Sequence, residues 1–184
     1  NEVWEQVFPV DPPARVITPL PLSHGNLSKM LEVEFIAVDP DGPYRKETIF
    51  TKDAPTPLGP EPQATKAGPY VFFSTQMASD YAHGLAPEVR EDPDFPFHSL
   101  SIKRQVEYIY GNVEAICSAV GTVATNLVKR RAAHLDLNEW VQAEEVWSAH
   151  LGDRLPPTTT FRAKAPLLVP GCTVQYELVA VTSE

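Results

Sequence analysis

Sulfur is scarce in this chain: 184 residues contain two cysteines, Cys117 and Cys172, and two methionines. Two cysteines make no disulfide framework, so the sequence reads as a protein of a reducing cytoplasm. Long apolar runs are also missing. None reaches the roughly 18 residues of a membrane-spanning helix, and no basic-then-apolar signal pattern opens the chain. Positive charge is in short supply, with 15 Lys and Arg against 24 Asp and Glu, a net charge of −9. That balance argues against nucleic acid and, more weakly, against an anionic membrane as partner. There is no P-loop, dinucleotide fingerprint, CxxC pair or HExxH motif. The five histidines, His24, His83, His98, His134 and His150, have no ligand spacing and read as structural or surface residues, so no metal and no cofactor is expected.

What is present is an ordinary globular composition, 43% apolar, punctuated by 19 prolines. The opening "NEVWEQVF" has Val3, Trp4 and Val7 on one helical face. "ARVITPL" (14–20) and "LEVEFIAV" (31–38) are rich in β-branched residues and predict two strands. A turn follows at Asp39–Arg45, then a short strand "ETIF", a proline-punctuated extended stretch over 51–65 and a strand "YVFFST". Met77–Leu100 reads as a long loop. From Ser101, Val106, Ile109, Tyr110, Val113, Ile116, Cys117 and Val120 fall at spacings of three and four, a helix with Gly121 as its stop. "LVKRRAAHL" predicts a strand whose basic run is a solvated patch. "LNEWVQAEEVWSAHL" predicts a helix with Trp140, Ala143, Val146 and Trp147 inward. "TTTFRAK" and "TVQYELVAV" predict the last two strands.

The chain repeats itself. "NEVWEQVF…PPAR…LEVEFIAV" matches "EEVWSAHL…PPTT…VQYELVAV". Trp4 pairs with Trp147 and Glu34 with Glu177, each at an offset of 143, while Pro13 pairs with Pro157 at 144. Residues 1–42 therefore read as the C-terminal part of one unit and residues 43–184 as a complete second unit. The first methionine is Met30 and the chain opens inside a helical pattern, so we expect the C-terminal piece of a longer polypeptide.

The order of several phrases resembles the RidA/YjgF family of enamine and imine deaminases, formerly called endoribonuclease L-PSP. "APTPLGPEPQAT" (54–65) is similar to the family's APxxxGPYxQA phrase, and "KAGPYVFFSTQ" to its AGxxVFxSGQ strand, with Thr75 in place of Gly. "QVEYIYGNVEAICSAVG", "LDLNEW" and "VQYELVAV" are similar to its helix, turn and last strand. The resemblance implies an α+β, chorismate mutase-like unit with two helices on one face of a mixed sheet, and three units forming a trimer or, here, a pseudo-hexamer. It implies a small imine, enamine or related C–N substrate, attacked by water without a cofactor.

By the same resemblance, Arg15 in "PPAR" matches an arginine that grips a substrate carboxylate. Glu34 and Glu177 match a last-strand glutamate that orients or activates water. Asn1 matches the family's helix asparagine, and Ser74 the serine of its SGQ phrase. The second unit departs from the pattern: Glu61 stands for tyrosine, Glu144 for asparagine, Phe161 for cysteine and Thr159 for the arginine. Arg15 and Glu34 are thus expected as catalytic residues, and Asn1, Ser74, Glu61, Glu144 and Glu177 as substrate contacts. Glu61, Glu144 and Glu177 are further expected to gather around one anion seat with no arginine beside it. The competing reading is a catalytically degenerate binding or assembly module. In either case a second polypeptide is expected to complete the first unit.

Overall fold

A computed structural model of the chain describes residues 1–21, 31–94 and 101–182. His24, Met30, His98 and the end of the Met77–Leu100 loop lie outside the described residues. The elements are α1 (Glu2–Val7), β1 (Lys46–Ile49), β2 (Ala64–Ala67), β3 (Tyr70–Phe73), β4 (Ser79–Asp80), β5 (Gly84–Leu85), α2 (Ser101–Ala119), β6 (Leu127–His134), α3 (Trp140–Leu151), β7 (Thr158–Arg162) and β8 (Val174–Val181). Six strands form one sheet in the order β1-β2-β3-β8-β6-β7. The β6–β7 pair, joined through α3, is parallel and the other pairs are antiparallel. This is a mixed sheet of the expected α+β class.

The apolar stripe of α2 is buried as its spacing predicts, from Ile102 to Cys117. Both helices cover the same sheet face. Trp147 of α3 meets Tyr176 of β8 at 5.3 Å, and Tyr110 of α2 meets Trp147 at 5.5 Å, both edge to face. Gly121 takes φ +74 just past α2, where an L side chain would be strained, and Thr122 N–H bonds back to Cys117 O. Trp140 departs from expectation: it opens α3 and is 44% exposed, while Ala143, Val146 and Trp147 turn inward. The 77–94 stretch is more ordered than a loop, with the β4–β5 hairpin and a turn of 3₁₀-helix at Pro87–Val89 that buries Val89. The basic run of β6 is not wholly solvated, because alternation turns Arg130 inward to 1% exposure.

The two strands predicted in residues 1–42 do not form. Among the described residues, 14–20 and 31–38 have no ladder partner. The repeat explains this. In the second unit, β8 lies between β3 and β6, and Val174, Tyr176 and Leu178 are at most 1% exposed. Their counterparts Leu31, Val33 and Phe35 are 78%, 54% and 71% exposed. A strand needs neighbours for its N–H and C=O groups, and no flanking strand lies beside this segment among the described residues.

Candidate functional site

The site is a seam between residues 1–19 and residues 46–182. The segment around Arg15 lies extended against the continuation of β3. Ala14 N–H donates to Thr65 Oγ1 (2.8 Å), Arg15 N–H to Ser74 Oγ (3.1 Å) and Thr75 N–H to Arg15 O (3.0 Å). Farther along, Gln175 Nε2 donates to Ile17 O and Thr18 Oγ1, and Lys164 N–H to Pro19 O. These bonds fix where the Arg15 side chain starts. Its guanidinium then lies 4.7 Å over the Trp4 ring, and its Nη2 donates to Asn1 Oδ1 (3.0 Å) and Glu61 Oε2 (2.6 Å). α1 supplies Trp4, and Asn1 precedes it, so the short helix acts as a mount for the arginine.

On the opposite wall, Gln63 is 3% exposed and its Nε2 donates to the carbonyls of Thr51, Ala54 and Pro55. This holds the proline-rich 51–62 loop in shape. Ser74, also 3% exposed, donates to Pro62 O while accepting from Arg15 N–H, which ties that loop to the Arg15 segment. Between the walls lies a cavity of about 260 Å³. Asn1, Arg15, Glu61, Ser74, Thr75 and Gln76 are among its polar lining residues, and Leu58, Ile116 and Leu168 among its apolar ones. Among the described residues, Arg15 and Glu61 are the only charged side chains along it, at 13% and 12% side-chain exposure. Burial pushes the Glu61 carboxyl above its ordinary value, and the Arg15 charge and hydrogen bond partly oppose that shift.

Four of the expected residues, Asn1, Arg15, Glu61 and Ser74, therefore meet at one cavity. Glu34 does not join them and lies exposed in the 31–38 segment. Glu144 and Glu177 do not join them either. The expectation of three carboxylates around one cleft is corrected, because each acid has its own base. Glu144 Oε2 accepts from Arg130 Nη2 at 2.5 Å, and Glu177 bridges Lys129 (2.5 Å) and Arg131 (2.9 Å). Alternation puts Glu177 on the sheet face away from Tyr176 and the helices.

Arg130, which sequence reasoning left among solvated charges, supplies the guanidinium that Thr159 lacks. It lies 4.8 Å over Trp147, donates to Thr158 Oγ1 and bonds Glu144, three residues before that tryptophan. Arg15 has the same relation to Trp4 and Asn1. The signal was the middle position of "KRR", which strand alternation points at the tryptophan. The roles of Gln63 and Gln175 were also missed, although Gln63 stands inside the quoted family-like phrase. His134 is fully buried, and burial together with the nearby Arg130 charge lowers its pKa to about 4. Among the described residues, no group of three or more His, Cys, Asp or Glu is arranged to hold a metal ion. Among the described residues, no helix is long and apolar enough to cross a membrane.

A scan of protein-family models gives no match. Individual proteins do match. A RutC family protein of Pyrococcus abyssi is 33% identical over 111 residues, covering 60% of this chain and 79% of the relative. Reactive Intermediate Deaminase A, chloroplastic, of Arabidopsis thaliana is 30% identical over 121 residues, covering 66% of this chain and 59% of the relative. The crystal structure of RidA from an Antarctic Psychrobacter species superposes with a TM-score of 0.58 at 28% identity, covering 73% of this chain and 98% of that one. With the fold and these relatives in agreement, the chain belongs to the RidA/YjgF family.

Proposed function

We propose that the chain hydrolyses the C=N bond of a small imine, or of an enamine after it takes up a proton at carbon, in the cavity at the Arg15 seam. Water adds its oxygen to the imine carbon while a proton goes to nitrogen. The carbinolamine then collapses, breaking C–N and releasing ammonia, and the carbonyl compound remains. An imine is already electrophilic, so positioning and one acid/base group suffice. Among the described residues Glu61 is the one acid along the cavity, and burial raises its pKa in the direction that suits proton transfer near neutrality. Arg15 steadies developing negative charge and holds Glu61 in place. Ser74 and Asn1 position these two groups, one through the Arg15 backbone and one through its guanidinium. The observation that carries this reading is the convergence of Asn1, Arg15, Glu61 and Ser74 on one cavity. The name of the Arabidopsis relative supports the reaction class. The test is ammonia release from an imine generated in solution, with and without the protein.

We also propose a partner. Leu31, Val33, Phe35 and Ile36, and Val3 of α1 at 72% exposure, correspond at the repeat's offset to Val174, Tyr176, Leu178, Val179 and Val146, all of which are buried. A second polypeptide with the sequence pattern of residues 46–143 fits there, completing the first unit and opening the way to a trimer-like or pseudo-hexameric assembly of units.

A further inference from the structure

The C=N chemistry proposed for this cavity leaves open which imines enter it, and the Arg15–Glu61 contact bears on that choice. A free guanidinium offers a substrate carboxylate two parallel N–H groups. Here Nη2 already serves Glu61 Oε2 at 2.6 Å and Asn1 Oδ1 at 3.0 Å, and Trp4 covers one face of the group. The pair is held closely. Gly59 lies so near that an added Cβ would run into Glu61 Oε2 and come within 2.6 Å of Arg15 Nη2. Loop backbone thus packs on the ion pair, and a side chain at position 59 would push into it. Among the described residues, no second basic side chain lines the cavity. An incoming carboxylate would therefore meet an internal carboxylate, with Arg15 as the one basic side chain between them. Two like charges around one guanidinium disfavour each other at this low exposure.

We propose that Glu61 is a specificity-determining residue which, by occupying Arg15, sets the cavity for small imines and enamines that carry no carboxylate. Glu61 and Asn1 take the Nη2 donor that a two-point grip on a carboxylate would use, while Nε stays buried without a hydrogen-bond partner. An uncharged or protonated C=N nitrogen has Glu61 as its partner, and the apolar wall of Leu58, Ile116 and Leu168 takes the carbon chain.

The test uses the intact chain and two stable probes of similar size, 2-oxobutanoate and butanamide, with binding read by ligand-observed NMR. The wild type is expected to favour butanamide by about tenfold or more. Glu61→Gln, which keeps shape and removes charge, is expected to tighten 2-oxobutanoate about tenfold while moving butanamide less than about threefold. Glu61→Tyr serves as the second variant if the first does not fold, with the same expected reversal of preference. Equal binding of both probes by the wild type overturns the inference. So does a parallel loss of both probes in the variants, which is what a merely structural role predicts. Hydrolysis with no change in probe preference would remove this inference and leave the proposed reaction. The expected preference without hydrolysis of any imine would do the reverse.

Discussion

Replacing Arg15 by methionine keeps an unbranched, though shorter, side chain and leaves Glu61 in the cavity wall without its cation. Both side chains are nearly nine-tenths buried, so little water can substitute for the lost partner. Removing one member of a buried ion pair costs roughly 3–5 kcal/mol, and the remaining exposure reduces that here to about 2–3 kcal/mol at neutral pH. For a chain of this size each kcal/mol moves the melting temperature by about 2–4 °C. The variant should therefore melt about 4–12 °C below the wild type at pH 8. The pH dependence has a definite sign. Burial already raises Glu61 and Arg15 lowers it, so the variant's Glu61 titrates higher still. A carboxyl raised in the folded state loses stability as pH rises through its folded pKa and regains it as pH falls. The deficit should shrink steadily toward acid, as the unpaired carboxyl takes up a proton. Calorimetric melts at several pH values between 5 and 8 measure it. A variant that melts within about 1 °C of the wild type at pH 8 would show that the Arg15–Glu61 pair does not form, and the geometry of the cavity would fall with it.

Three further outcomes are expected. His134 is buried neutral with its pKa lowered from 6.5 to about 4, so stability should decline as pH falls from about 6.5 toward 4, by about 3 kcal/mol in all; His134→Leu should flatten that slope in urea titrations, and an unchanged slope counts against it. Glu144→Ala leaves Arg130 buried and unpaired and should cost about 3–5 kcal/mol in the same titrations, whereas Glu145→Ala, on a surface pair with Lys103, should cost under about 1 kcal/mol. Light scattering of the native protein should give a mass well above 20.3 kDa, and a compact 20.3 kDa monomer would count against a partner on the 31–38 segment.

The elements easiest to read in the sequence were those whose periodicity is enforced by packing on a single face. α2 repeats apolar residues at three and four over 19 residues, and β8 is a nearly continuous apolar run because it is buried at the sheet centre. β2 was hidden, since Ala64–Ala67 carries Lys66 and follows four prolines between 55 and 62, which read as extended coil. The strands predicted at 14–20 and 31–38 were legible as strand formers, but a ladder is a property of two segments and their partners are not beside them. The cavity was half legible. Arg15, Asn1 and Ser74 could be marked through the family-like phrases, and Glu61 through its departure from one. That Glu61 would pair with Arg15, 46 residues away, depended on how the Arg15 segment docks against Ser74 and Thr75, which no local pattern encodes. Arg130 was misread because a run of three basic residues suggests solvent, although a strand must turn alternate members inward.

The central claim is that the Arg15 cavity hydrolyses a C=N bond. The direct measurement follows imines generated in solution by an amino-acid or amine oxidase, with semicarbazide trapping what remains, in the presence of wild type or of Arg15→Met at a pH where the variant stays folded. The account predicts that the wild type removes a carboxylate-free imine faster than buffer alone, with ammonia appearing in step, and that Arg15→Met loses about 10²-fold or more of that acceleration. No acceleration by the wild type for any small imine, with or without a carboxylate, or an undiminished rate in the variant, would contradict it.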